Sequence, residues 1–228
     1  MRIVLYIYQK LEHDMKLNDP FVITISREVG SGGGTVARKL AEKLNVNYVN
    51  KQLMQALEER FHLTPEGIEH LKSTKKNWFK DLFEQVASSP KATIKVGGYT
   101  YSREFVEAVT VKDIYDAEVE ILNAIADEGS CVIAGRSAFF VLKDRPNKVD
   151  IFITASKERR IKRIMEKQGL SREDAIHTIE TIDEGRDNYV KRFTNLSRYD
   201  MRNYDLLLDM DFLTEDEAVD KILEFIGK

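Results

Sequence analysis

Four groups of residues in this 228-residue chain have the types and spacing to do chemistry. The first is the loop Ser26-Arg-Glu-Val-Gly-Ser-Gly-Gly-Gly-Thr35, which holds four glycines. An apolar run, Phe21-Val-Ile-Thr-Ile25, precedes it, and Val36, Ala37, Leu40, Ala41 and Leu44 follow at helical spacing. A strand, a glycine turn and a helix in that order make an anion site. Glycines let consecutive N–H groups converge, and the helix start adds its dipole. Gly30, Ser31, Gly32, Gly33, Gly34 and Thr35 are the candidate cradle; the alternative is a tight strand-to-helix turn without a ligand. The second group is Gly135-Arg136-Ser137, again at the end of an apolar run. A guanidinium there can meet two oxyanion oxygens at once, or it can tie the turn to a helix by an ion pair. The third is the basic run Arg159, Arg160, Lys162 and Arg163, which either contacts phosphate or forms a solvated helix face. The fourth is Asp183 with Arg186. Ala175, Ile176, Ile179 and Ile182 form an apolar stripe that positions 183, 186 and 190 continue. Such a charged pair points into a cleft, or it is a structural pair three residues apart.

Composition narrows the classes. Hydrophobic residues make up 43% and charged residues 32%, with a net charge of -3. That balance gives no bulk attraction to nucleic acid or to an anionic membrane, so neither is expected as a partner. Anion binding must come from local placement of Arg and Lys. Cys131 is the only cysteine and lies in an apolar run, which reads as a small buried hydrophobe. His13, His62, His70 and His177 are scattered and make no metal-ligand spacing. No apolar run approaches the length of a spanning helix, and the expected compartment is the cytoplasm.

These groups need elements to hold them. Short apolar runs at Phe21–Ile25, Asn47–Val49, Cys131–Ala134, Val149–Thr154 and Tyr204–Leu208 predict five strands. Helices are predicted between them. Ser156 opens one that ends at Gly169, Ser171 and Asp174 form a weak capping box, and Thr214 with Glu217 forms another. Short buried strands alternating with helices predict a parallel sheet covered on both faces. Residues 51–119 read as mostly helical, with Thr64 and Pro65 at one helix start and Gly97-Gly98 inside a small hairpin. Residues 1–19 read either as an extension packing on the core or on a partner, or as a segment before a start at Met15.

Laid together, these motifs resemble the cytidylate kinases, and more closely a divergent cytidylate kinase-like family. The likeness rests on Ile25-Ser-Arg-Glu-Val-Gly-Ser-Gly-Gly33, Gly135-Arg136-Ser137-Ala138, Glu158-Arg-Arg-Ile-Lys-Arg163, Asp183-Glu-Gly-Arg186 and Tyr204-Asp205. It spans residues 20–228. It implies an α/β P-loop fold with a five-stranded parallel sheet in the order 2-3-1-4-5. Residues 51–119 would be the inserted monophosphate-binding region and 156–195 the lid. The implied activity is ATP-dependent phosphoryl transfer to a nucleoside monophosphate such as CMP or dCMP, with Mg2+. Such catalysis is positioning plus charge neutralisation, with no protein nucleophile. In this reading the loop cradles the donor phosphates and Thr35 supports the metal. Arg136, Ser137 and Asn50 face the acceptor, and Arg27, Arg160, Arg163, Asp183 and Arg186 serve the transfer. A homodimer is compatible with the sequence.

The departures from the pattern matter. The usual loop reads GxxxxGK[ST]; here Arg27 takes the first glycine, Gly33 takes the lysine and Gly34 takes the metal-binding hydroxyl. Losing a charge aimed at the transition state commonly costs about 3–4 kcal/mol. Arg27 is the first candidate to replace it; the alternative is a surface ion pair with Glu28 or with a helix carboxylate. Ser137 stands where related kinases carry an aspartate that holds the acceptor nucleoside, and Asn50 replaces another expected aspartate. A Gly33→Lys change is expected to raise activity if the loop keeps ordinary geometry. Two other readings stay open: a nucleotide-binding regulator without catalysis, and a kinase of a non-nucleotide acceptor.

Overall fold

The computed structural model describes residues 6–7, 15–49, 51–61, 68, 93–96, 99–102 and 110–228. Asn50, Thr64, Pro65, Gly97 and Gly98 lie outside them. In chain order the elements are β1 (Tyr6–Ile7), β2 (Val22–Arg27), α1 (Gly33–Leu44), β3 (Asn47–Val49), α2 (Lys51–Phe61), β4 (Thr93–Val96) and β5 (Tyr99–Ser102). There follow α3 (Val111–Glu128), β6 (Cys131–Ala134), α4 (Ala138–Val141), β7 (Lys148–Thr154), α5 (Lys157–Gln168), α6 (Arg172–Thr194), β8 (Leu206–Asp209) and α7 (Glu215–Phe225).

Five strands run parallel in the order β3-β6-β2-β7-β8. Counted from β2, this is the 2-3-1-4-5 order that the resemblance implies. β1 adds an antiparallel edge, with Tyr6 opposite Leu207 and Ile7 opposite Leu206. Part of the 1–19 segment therefore belongs to the sheet. Side chains alternate across each strand and so divide between two faces. Ile23, Ile25, Ile151, Ile153, Leu206 and Leu208 pack with Val36, Ala37 and Leu40 of α1 and Ala218, Val219 and Ile222 of α7. On the opposite face Phe152 packs with Phe139 of α4, Val190 of α6 and Tyr204. The result is a three-layer P-loop fold. Among the described residues no helix is long and apolar enough to cross a membrane.

The helix starts follow local chemistry. Ser156 and Ser171 cap α5 and α6 by accepting the N–H of Arg159 and of Asp174, and Thr214 with Glu217 closes a full capping box on α7. Gly169, at φ 68, ends α5 in the left-handed region. Ile182 departs from the expected stripe. It is 39% exposed, while Asp183 and Asp187 are buried. The first half of α6 packs Ala175 and Ile179 on Ile161 and Ile164 of α5. The second half packs Val190 toward the sheet. The buried face turns between these partners, and polar residues fill the change-over.

Two compact units divide the chain: residues 1–50 with 122–228, and residues 51–121. The second unit holds α2, the first part of α3 and the hairpin in which Thr93 faces Ser102 and Val96 faces Tyr99. Within it Arg60 pairs with Glu120 at 2.6 Å. All the geometry below lies in the first unit.

Candidate active site

β2 ends at Arg27, and the chain turns through Glu28–Gly32 into α1. Gly30 and Gly32 sit at φ 81 and 92, the left-handed region that glycine enters without a Cβ penalty. At Gly30 a Cβ would also stand 2.6 Å from the carbonyl oxygen of Arg160. Ser31 is buried and ties the turn internally. Its Oγ donates to the Glu28 carbonyl at 2.9 Å and accepts the Gly33 N–H at 3.3 Å. The N–H groups of Gly30, Gly32 and Gly34 take no intramolecular acceptor among the described residues. They open at the N-terminus of α1, where the helix dipole favours an anion.

Two buried charged side chains brace this turn from the α5–α6 side. Asp183 accepts the Val29 N–H with both carboxylate oxygens, at 3.1 and 3.3 Å. Arg160, 7% exposed, donates Nε to the Val29 carbonyl at 2.8 Å and Nη1 to Glu28 Oε1 at 3.0 Å. Its Nη2 pairs with Asp183 Oδ2. Arg163 lies one turn further along α5. Its Nη2 is 2.5 Å from Glu215 Oε1 and 3.4 Å from Thr35 Oγ1. A Cβ at Gly32 would lie 3.4 Å from the Arg163 Cζ. Arg163 thus overhangs the open end of the turn, while Arg160 is fully engaged beneath it. Arg159 and Arg38 face away. The former donates to the carbonyls of Asp211 and Leu213, and the latter pairs with Glu42 on an exposed helix face.

Among the described residues no resident metal site is formed at this turn. Thr35 Oγ1 already faces a guanidinium. Gly34 offers no hydroxyl. Among the described residues no group of three His, Cys, Asp or Glu could hold an ion.

At the end of β6 a second turn faces the same edge of the sheet. Gly135, Arg136 and Ser137 follow one another at φ 76, 62 and 54, all left-handed. Ser137 is buried, and its Oγ has no hydrogen-bond partner among the described residues. The Arg27 side chain crosses from β2 to this turn, and a Cβ on Gly135 would run into Arg27 Nη1. Burial, then the neighbouring Arg186 and Arg136, pull the Arg27 pKa down to about 9. The Arg27 carbonyl accepts from Arg186 Nη1 at 3.5 Å and from Arg198 Nη2. Arg186 also lies 3.7 Å from Asp183, and Arg198 lies 3.8 Å from it. Arg198 is 4% exposed, and its Nη1 has no hydrogen-bond partner among the described residues.

A family model for the cytidylate kinase-like family matches residues 22–211, which takes in both turns and all the arginines just described. The chain belongs to the cytidylate kinase-like family. Among curated relatives it is 27% identical to a cytidylate kinase of Clostridium botulinum (strain Loch Maree / Type A3), over 90% of this chain and 97% of that one. It is 25% identical to a cytidylate kinase of Methanopyrus kandleri, over 89% of this chain and 95% of that one. Among solved structures an uncharacterized protein from Eubacterium ventriosum shares 25% identity with a TM-score of 0.62, over 91% of this chain and 99% of that one. β1 and α7 lie outside the stretch that the family model matches.

For this family member the structure gathers Arg27, Arg136, Ser137, Arg186 and the Gly30–Thr35 turn along one edge of the sheet, with Arg163 above and Asp183 and Arg160 beneath. Asn50 lies outside the described residues. Arg198 has no counterpart in the sequence expectations. Its segment, Leu196 to Asp200, carries no periodic pattern to mark a buried residue. The usable signal is on α6, where Asp187 occupies a buried position and accepts the Arg198 N–H at 3.2 Å.

Proposed function

We propose that this chain transfers the terminal phosphoryl group of a nucleoside triphosphate to a nucleoside monophosphate, with CMP or dCMP as the first acceptors to test. One observation carries the reading. Two turns, one with open N–H donors and one reached by guanidinium groups, lie at the carboxyl ends of adjacent parallel strands. That is where ligands bind in open α/β sheets. The terminal P–O bond of the donor breaks as a bond forms to an oxygen of the acceptor phosphate, leaving two nucleoside diphosphates. No protein nucleophile is required. The N–H groups of the Gly30–Thr35 turn hold the donor phosphates, and Arg163 adds positive charge from above. Arg136 and Ser137 receive the acceptor. Arg186, half-buried beside the end of β2, neutralises charge at the point of transfer. Asp183 and Arg160 act as positioning residues, because they hold the turn rather than face its open side. Any divalent ion enters with the triphosphate as part of the donor substrate.

A coupled assay across ATP and GTP with the common monophosphates tests this. Turnover with CMP that Arg186→Ala abolishes supports it. Nucleotide binding without turnover on any acceptor favours a regulator of the same fold, which the glycines at the lysine and hydroxyl positions, Gly33 and Gly34, motivate.

A further inference from the structure

The missing loop lysine is tied to a second feature, the path of Arg27. On β2 alternate residues face α1, so Ile23, Ile25 and Arg27 point the same way. The stem of Arg27 passes directly over Gly33. A Cβ on Gly33 would stand 2.6 Å from Arg27 Cβ, 3.2 Å from its Cγ and 3.2 Å from Ile153 Cβ. The position to which the motif assigns lysine therefore cannot carry a side chain while Arg27 is in place. Beyond Gly33 the stem runs on to β6, where Gly135 leaves room for the guanidinium. Two glycines clear the path, one at each end. By contrast, nothing lies within 4 Å of a Cβ on Gly34.

At its destination no carboxylate among the described residues pairs with the guanidinium. Arg186, Arg136 and Arg198 act against its charge and Tyr48 acts for it. Arginine stays protonated at neutral pH, so a cation partly withdrawn from water stands at this turn without an ion pair of its own. Independently, Ser137 Oγ, buried in the turn that the guanidinium reaches, has no hydrogen-bond partner among the described residues. Buried donors without acceptors are rare in folded proteins and call for a ligand or an ion. A tetrahedral dianion supplies what both groups lack.

We propose that Arg27, with Ser137, forms an oxyanion site for the phosphate of the acceptor, so that the charge which other loops bring to the donor phosphates is delivered here to the acceptor side. This rests on the phosphoryl-transfer reading for the identity of the ligand, a phosphomonoester, but not for the presence of an anion site.

The test compares wild type, Arg27→Met and Ser137→Ala, titrated separately with CMP, ATP and inorganic phosphate by calorimetry. Methionine keeps the stem against Gly33 and removes the charge. Arg27→Met is expected to weaken CMP and phosphate by about ten-fold or more, the scale of one charge-assisted contact, and ATP by less than about three-fold. Ser137→Ala is expected to weaken the same two ligands by a smaller factor, which keeps the test alive should Arg27→Met fold poorly. Loss of ATP binding with CMP and phosphate unchanged puts Arg27 on the donor side and overturns the proposal. So does phosphate binding to both variants at wild-type strength. Phosphate binding that depends on Arg27, in a protein that turns over no acceptor, keeps the anion site and removes the kinase reading. Turnover in Arg27→Met with an unchanged KM for CMP does the reverse.

Discussion

The turn after β2 and the turn after β6 are made of similar residues and left in different states. In the first, Ser31 closes the backbone on itself, Asp183 takes the Val29 N–H, and Arg160 ties Glu28 and Val29 to α5. Its left-handed positions are glycines. In the second, two of three consecutive left-handed residues carry side chains. Such positions cost on the order of 1 kcal/mol or more each and persist where the surroundings enforce them. A buried hydroxyl there has no hydrogen-bond partner among the described residues, and Arg186 and Arg136 lower the pKa of Arg27. The first turn is braced by side chains from α5 and α6. The second keeps its buried hydroxyl open to a ligand. A ligand bound there would stabilise the folded chain by mass action.

The largest way to break that contrast is to remove the brace. Asp183→Ala leaves Arg160 buried with one carboxylate fewer and frees the Val29 N–H. A loss of about 3–5 kcal/mol in unfolding free energy is expected, read by urea denaturation, with Asp183→Asn milder. A variant as stable as the parent would show that the first turn is not held from α6. Next comes the foot of β6, far from its turn. Burial pushes the Cys131 thiol up to about 11 from 9.0. The folded chain then binds more protons than the unfolded one between these values, so stability falls as pH rises from about 9 to 11. The effect is at most about 2–3 kcal/mol and is reduced in Cys131→Ala. Proton-linked loss below pH 8 that follows Cys131 would break the assignment. Third, Gly33→Ala forces a Cβ against the Arg27 stem and is expected to cost about 1–3 kcal/mol, whereas Gly34→Ala gains up to about 1 kcal/mol as an open helical position. Thermal melts of the two variants read the difference. Gly33→Lys follows Gly33→Ala, which reverses the expectation drawn from the loop motif, because the lysine's space is already filled. The smallest effect is expected for Arg163→Met, which leaves stability within about 0.5 kcal/mol and raises KM for the triphosphate about ten-fold. An equal rise for the monophosphate would sink its assignment to the donor side.

Much of this architecture is legible in the sequence. Asn47–Val49 and Cys131–Ala134 are strands at the predicted residues, because short apolar runs between turn residues have few other ways to be buried. The caps at Ser156, Ser171 and Thr214 were readable because they are local contacts, three residues long. What sequence could not give is which charges meet across the fold. Arg160 and Arg163 sit three apart in one basic run, yet one is buried under the turn and the other overhangs it. Their difference depends on Asp183 and Glu215, which come from separate helices. Arg198 was missed for the same reason, since its partners are a backbone carbonyl on β2 and carboxylates on α6. The displaced lysine position was visible as Gly33, but only the path of Arg27 explains it.

Arg160 has a mechanical consequence. It joins α5 to the Val29 carbonyl, to Glu28 and to Asp183 of α6, and Val29 itself packs into the apolar cluster between those helices. One guanidinium thus couples the turn to two helices. Movement of α5 away from the turn breaks its contacts to Glu28, Val29 and Asp183 together, and movement of α6 breaks the Asp183 contacts to Arg160 and to the Val29 N–H.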